Sequence, residues 1–358
     1  MSVSALITDF YELTMMNGYF TSKNNPKVVF DMFYRTNPFN GGYVVFTGLH
    51  DLLKKIEVFT FSKSDIEYLK SLNKFSDDFL EYLTTFKFEG DIYAMEEGSI
   101  VFPGEPLLRI EATLMEAQII EGMLLNTINF QSLIATKASR MVAATKGAPI
   151  MEFGLRRAQG ADGALTASRA AYIGGCSATS NTLAGKVFNI PVSGTMAHSW
   201  IMSFNDELEA FRVYADMYPD NAVLLIDTYD TLGSGIENAI IESKNKGADI
   251  VVFPETALLG WVNPEAHYKA FPIPGKDSDR LCKLAQDHKV FICIGLAEKD
   301  KDGLYDSAIL IDNTGEIILK HRKINTLENH IDPPYIKGKG VNTVSTQYGN
   351  IGIMNLQK

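Results

Sequence analysis

The chain has 358 residues, 46% of them hydrophobic and 21% charged, enough for two or three domains with buried cores; extended disorder is excluded as the main state. Its formal charge of −10 argues against general nucleic-acid binding, which needs a basic surface. Three cysteines (Cys176, Cys282 and Cys293), none in a CxxC pair, exclude a disulfide scaffold and a zinc ribbon, and no apolar run reaches the ~18 residues a membrane span needs. In chain order, residues 1–115 mix aromatic-rich strands (VVFDMFYR, GYVVFTGL, GDIYAM) with helical stretches. Glu116–Ala144 carries apolar residues at helical spacing and reads as one long helix. Pro149–Phe153 reads as a short strand. Gly174, Gly175 and Ser177 are expected to open a helix that runs through Ala184 and closes at Gly185. Ile190–Gly194 is the next expected strand, Glu207–Met217 a helix, and Ala222–Ile226 a buried strand. This alternation is the grammar of a parallel sheet or barrel. Beyond residue 240 come a strand at Ile250–Phe253, a helix at Asp277–His288 and a strand at Val290–Leu296. A hairpin of Tyr305–Asp312 with Glu316–Arg322 turns around Asn313-Thr314-Gly315.

Charge is unevenly placed. Residues 1–240 hold 18 Lys and Arg against 28 Asp and Glu; residues 241–358 hold 15 of each. The change supports a boundary near 240. Before it, three polar groups follow expected strands: Arg156-Arg157, then Thr195 and His198, then Asp227 through Thr231. Carboxyl ends of parallel strands are where active sites form. Adjacent arginines can hold phosphate oxygens bidentately, and a histidine can take or give a proton or a phosphoryl group. Taken singly, each has a plainer reading, as a solvated arginine pair, a structural histidine or an aspartate capping a turn.

Six ordered segments carry a resemblance: ALITDFYELTMMNGYF (5–20), FYRTNPFNGGYVVFTGL (33–49), EGSIVFPGEPLLRIEA (97–112), MEFGLRRAQGADGALTASRAAYIGGCSATSNTLAG (151–185), IPVSGTMAHSW (190–200) and LLIDTYDTLGSG (224–235). Together they resemble the N-terminal half of nicotinate phosphoribosyltransferases. The resemblance implies a small N-terminal domain, an irregular α/β barrel, and a homodimer with sites at the subunit interface. It also implies a reaction of nicotinate with phosphoribosyl pyrophosphate, coupled to ATP and Mg²⁺ and yielding nicotinate mononucleotide. By the same resemblance, Tyr11 stacks on nicotinate from the neighbouring subunit and Thr195 lines the substrate pocket. His198 takes the phosphoryl group from ATP, Arg156 lies near the nicotinate carboxylate and the ribose, and Asp227 faces the sugar or the Mg²⁺. The family's further barrel strands have no counterpart after Gly235.

A second resemblance follows. GADIVVFPETALLGW (247–261) and AILIDNTGEIILKHRKIN (308–325) resemble two segments of the nitrilase, or carbon–nitrogen hydrolase, superfamily, which uses a Glu–Lys–Cys triad. Glu255 matches its general base and Lys323 its lysine. Leu356 stands at the nucleophile position, and Cys293, on VFICIGL, reads as a core cysteine. The expected fold class is therefore α/β: an N-terminal domain over 1–115, a partial irregular barrel over 116–240 and a partial nitrilase-like sandwich over 241–358, with the junction near 236–246. The expected activity is nicotinate phosphoribosyl transfer in NAD biosynthesis, in a cytoplasmic homodimer with no resident metal, no nucleic acid and no membrane span. The alternatives are a carbon–nitrogen hydrolase fragment or a non-catalytic dimerising fusion.

Overall fold

The structure is a computed structural model and describes residues 4–145, 149–220, 222–326 and 331–353. It packs as two units, residues 1–194 and 195–358.

Unit 1 opens with α1 (Phe10–Ser22), β1 (Lys27–Met32), β2 (Val44–Val45), α2 (Leu49–Glu57), α3 (Lys63–Ser71) and α4 (Asp77–Thr84). Ser62 and Asp65 form a capping box at α3, and the Ser76 hydroxyl accepts from Phe79 N at α4, which sets where both short helices begin. Next come β3 (Asp91–Ala94), β4 (Ile100–Val101), β5 (Leu108–Thr113), α5 (Leu114–Ile119) and α6 (Glu121–Ala144). The sheet β1-β5-β3 is antiparallel, with Lys27 opposite Thr113 and Asp91 opposite Glu111. A core of Met16, Phe46, Leu52, Phe59, Phe79 and Ile119 fills the space between sheet and helices. The long helix expected from Glu116 is instead two, α5 and α6, separated at Ile120; Glu116 is spent closing a capping box on Thr113. The polar residues within α6 serve β2: Val45 N donates to Thr136 Oγ1 (2.9 Å) and Thr47 N to Ser132 Oγ (3.1 Å).

The unit closes with β6 (Met151–Glu152), α7 (Gly160–Ile173), β7 (Ala178–Thr179) and α8 (Thr182–Phe188). The helix expected over 174–184 is corrected here. Gly174 and Gly175 end α7 rather than open a helix. Gly175 has φ +104°, a conformation that costs glycine least, and a Cβ on Gly174 would strike Ala135 of α6. Asn181 caps the separate α8 by accepting from Ala184 N at 3.2 Å. β6 and β7 pair in parallel, and the strand expected at 190–194 is reduced to one bridge, Thr179 with Val192.

Unit 2 runs α9 (His198–Met202), α10 (Glu207–Met217), α11 (Ile236–Asn245), β8 (Ile250–Val252), α12 (Ala266–Lys269), α13 (Lys276–His288), β9 (Phe291–Asp300), β10 (Gly303–Ile311), β11 (Ile317–Arg322), β12 (Thr343–Thr346) and β13 (Gly349–Gly352). The strand expected at Ala222–Ile226 is absent: Leu224, Leu225 and Ile226 are half-buried against the core but pair with no described strand, and Val223 is exposed. A parallel strand exists only by its ladder partners, and the described residues supply none there. The four-stranded sheet has the order β11-β10-β9-β8, with β8 parallel to β9 and the rest antiparallel. One face (Ile292, Ile294, Ile309, Ile311) packs under α10, α11 and α13. The other (Phe291, Ala308, Leu310, Leu319) meets Ile353 and the β12–β13 hairpin.

Packing does not divide where sequence style changes. Val45, Ala135 and Ala170 share a cluster that ties residues after 115 to those before. Ile201, Phe211, Ile240, Val251 and Ile292 share another that crosses residue 240.

Candidate functional site

In unit 1, Glu152 organises the end of β6. Its carboxylate accepts from Gly154 N, from Ser168 Oγ at 2.9 Å and from Thr179 Oγ1 at 2.6 Å, joining β6, α7 and β7. The short 3-10 turn Leu155–Arg157 follows directly and presents Arg156 and Arg157 to solvent. Behind it, Arg169 of α7 grips Glu97 with two bonds (2.8 and 2.7 Å), and Glu97 also accepts from Gly48 N. Burial works to raise the Glu97 carboxyl, but the Arg169 guanidinium and Gly48 outweigh it and hold it below the usual carboxylate range. Tyr11, in the first turn of α1, is half exposed; the Glu12 carboxyl beside it pushes its phenol up to about 12. Glu12 is fully buried, and burial raises its carboxyl in turn.

In unit 2, His198 begins α9. Its Nδ1 lies 3.1 Å from Thr228 Oγ1, and its Nε2 lies 3.9 Å from Asp227 Oδ1. α9 is anchored by Trp200, whose Nε1 donates to the Ala210 carbonyl (3.2 Å) and whose ring packs on Phe204. Asp230 accepts from Gly233 N (2.9 Å), the plain role of a turn cap, whereas Asp227 is left facing the imidazole. Thr195 is exposed, and its hydroxyl bonds the Met196 carbonyl at 3.3 Å. Of the residues singled out in sequence, the structure thus brings His198 and Asp227 together and adds Thr228 as the ring's hydrogen-bond partner. Tyr11 and Arg156 belong to unit 1.

The second constellation is also in unit 2. Glu255, beyond β8, pairs with Lys323, beyond β11, and Lys323 lies 3.5 Å from Asp306 of β10. The Lys323 and Asp306 side chains are 3% and 1% exposed. Gly295 makes the approach possible: a Cβ there would sit 2.5 Å from Glu255 Cα and 2.7 Å from Thr256 N. Tyr335 is buried beside the cluster; burial first, then the Asp306 and Glu255 charges, push its hydroxyl up to about 12. Asp306 and Tyr335 escaped sequence reasoning, although an aspartate inside the apolar strand YDSAILI was a usable signal. Cys293 is on the sheet face of Phe291 and Leu310, with Leu310 as its register partner, whereas Asp306 stands opposite Ala297, four residues along. At ~3.3 Å per residue that separates the two levels by roughly 13 Å. Burial raises its thiol. Leu356 lies outside the described residues.

On the adjoining face of this sheet, Glu298, with its side chain 2% exposed, binds Arg322, Lys320 and Ser307. Burial opposes its ionisation, but these donors outweigh it and hold the carboxyl below its usual range. Arg322 stacks on the Tyr305 ring at 3.8 Å.

Two family models match, one for each half of the motif text. Residues 6–129 match the nicotinate phosphoribosyltransferase (NAPRTase) N-terminal domain, and residues 231–357 match carbon-nitrogen hydrolase. The chain is 42% identical over 245 residues to a nicotinate phosphoribosyltransferase of Mycobacterium tuberculosis, covering 68% of this chain and 52% of that protein. It is 47% identical over 244 residues to that of Bacillus subtilis, covering 68% and 50%. The chain spans about half the length of these relatives. Among solved structures, human nicotinic acid phosphoribosyltransferase superposes with a TM-score of 0.63 at 24% identity, covering 85% of this chain and 74% of that one, which bears on the fold alone. Both resemblances drawn from the motifs are borne out. The carbon–nitrogen hydrolase match begins at residue 231, just ahead of the expected junction. Among the described residues no helix is long and apolar enough to cross a membrane, and no three His, Cys, Asp or Glu groups converge as metal ligands.

Proposed function

We propose that residues 5–235 carry nicotinate phosphoribosyl transfer, in which nicotinate and phosphoribosyl pyrophosphate give nicotinate mononucleotide and pyrophosphate at the expense of ATP. The observation that carries this reading is His198, held between Thr228 and Asp227 in a segment more than 40% identical to such enzymes. In the energising step an unprotonated ring nitrogen of His198 attacks the γ-phosphorus of ATP. The N–P bond forms as the bond to the bridging oxygen breaks, and ADP leaves; hydrolysis later returns the free imidazole and phosphate. Thr228 orients the ring, and Asp227 stabilises the positive charge the ring develops. In the transfer itself the ribose C1 bond to pyrophosphate breaks while a bond to the nicotinate ring nitrogen forms. The ribose carries positive charge in passage, so positioning dominates the catalysis. Arg156 supplies a cation for the nicotinate carboxylate, and Tyr11 supplies an aromatic face for its ring. Mg²⁺ enters as part of the nucleotide and pyrophosphate substrates. A cytoplasmic homodimer, with Tyr11 serving the neighbouring subunit, accords with this reading.

The test is to incubate the purified chain with nicotinate, phosphoribosyl pyrophosphate, ATP and Mg²⁺. Nicotinate mononucleotide should accumulate above the level given by His198→Asn; no difference between the two would defeat the assignment.

A further inference from the structure

The carboxylate of Glu152 is part of a closed ring of hydrogen bonds. Ser168 Oγ and Thr179 Oγ1 both donate to its Oε2, at 2.9 and 2.6 Å. Asn181 completes the ring from the other side: its Nδ2 donates to Ser168 Oγ at 3.2 Å and its backbone N to Thr179 Oγ1 at 3.0 Å. Ser168, Thr179 and Asn181 are all buried, so water does not compete for these bonds. The other oxygen, Oε1, lies outside the ring and accepts from Gly154 N. Gly154 is also held at its carbonyl, which accepts from Arg157 N at 2.9 Å and closes the 3-10 turn Leu155–Arg157. Arg156 lies inside that turn, and no hydrogen bond or ion pair holds its side chain among the described residues. The backbone that carries it hangs on Glu152 Oε1. Gly154 fits this arrangement by lacking a side chain, since a Cβ there would sit 2.8 Å from Oε1. Its φ of −83° is accessible to any residue, so a side chain there would violate the contact with Oε1 and not the backbone.

We propose that Glu152 is a positioning residue for the proposed reaction: through Gly154 N it fixes the turn from which Arg156 meets the nicotinate carboxylate. It touches no reacting atom. Its oxygens are spent on three donors, none of them an arginine, which leaves the Arg156 guanidinium for the substrate. A guanidinium carried on a fixed turn loses less freedom on binding an anion than one on a loose turn, so the effect of Glu152 falls on substrate affinity. The inference rests on the proposed role of Arg156 for its catalytic consequence; the fixing of the turn stands apart from turnover.

The experiment uses the full chain with Glu152→Gln, with Gly154→Ala and with both. Glu152→Gln puts an amide donor where only donors now point, and Gly154→Ala pushes the carboxylate off Gly154 N without touching the ring. Each single variant should raise KM for nicotinate about 10-fold or more, with kcat within about 3-fold and circular dichroism unchanged, as when uniform binding is lost. The double variant should be no worse than the worse single, because both break the one contact between Oε1 and Gly154 N. Backbone ¹⁵N relaxation without substrate is the second measurement. Order parameters at Leu155–Arg157 should fall from about 0.85 to below about 0.6 in the variants while those of α7 hold. Additive effects on KM, or a fall in kcat at constant KM, overturn the proposal; so do unchanged order parameters. If the wild-type chain makes no nicotinate mononucleotide, the catalytic reading falls, and the order parameters alone decide whether Glu152 positions the turn.

Discussion

Lys323 is held by two carboxylates inside unit 2, and its removal tests how that site is built. Lys323→Met withdraws the cation from Glu255 and from buried Asp306. Breaking a buried charge pair from one side costs about 3–5 kcal/mol, so the urea midpoint of unit 2 should fall well below wild type. An unchanged midpoint would mean the cluster is solvated. Glu298 gives a pH test. Its folded value lies below the ordinary carboxylate value of about 4.3, so its stabilising contribution is full above that value and is lost as pH falls through the folded value. Urea stability should be flat from about pH 7 to 5 and decline below about 4.3, and Glu298→Gln should flatten that decline. For His198, label from γ-phosphate-labelled ATP should be acid-labile, base-stable and absent from His198→Asn; label persisting in the variant would misassign the site. The residues behind these tests were unequally visible in sequence. Glu255, Lys323 and His198 sit in motif text, whereas Asp306 and Glu298 acquire their roles only through cross-strand neighbours.

At the scale of elements, Gly295 shows how one position in β9 sets a site on another segment. With backbone of Pro254 to Thr256 lying against it, Gly295→Ala must displace one of the two segments. The expected result is loss of the Glu255–Lys323 pairing together with 1–3 kcal/mol of stability, read by urea unfolding and by a changed Lys323 ammonium signal in NMR. Wild-type behaviour would show that the two segments are not in contact. Helices with clear caps and periodicity were legible: Glu207–Met217 matches the sequence reading residue for residue, and α13 differs by one residue at its start. The β10–β11 hairpin was legible because Asn313-Thr314-Gly315 is a turn by composition, with Gly315 at φ +88°. The run Ala222–Ile226 was misread because an apolar β-branched stretch signals burial, while a strand requires a partner. Gly174-Gly175 was misread as a start because glycine pairs mark helix ends of either kind, and only the contact with α6 tells which.

At the scale of the whole chain, kinship and packing change at different places. The carbon–nitrogen hydrolase match begins at residue 231, yet Phe211 ahead of it and Ile292 and Ile294 within it are fully buried in one core. Truncating Phe211 to alanine should therefore cost about 3–5 kcal/mol and speed amide exchange in β9, across the junction. Protection confined to 231–353 in that variant would mean the two texts fold separately. Amide hydrolysis by this unit is not expected. Glu255 and Lys323 can steady a proton and an oxyanion, but covalent attack needs a thiolate, and Cys293 lies four residues along the sheet from the level of Asp306, beside which Lys323 is held. Wild type and Cys293→Ala should both be inactive on small amides and nitriles; turnover lost in the variant would make Cys293 the nucleophile. Motif text and local periodicity sufficed for the two kinships and for the capped helices, because these depend on residue type and short-range order. Domain division, the chimeric core and the hydroxyl on His198 came only with the fold. They depend on which distant segments meet, and a chain states that through packing rather than through any local signal.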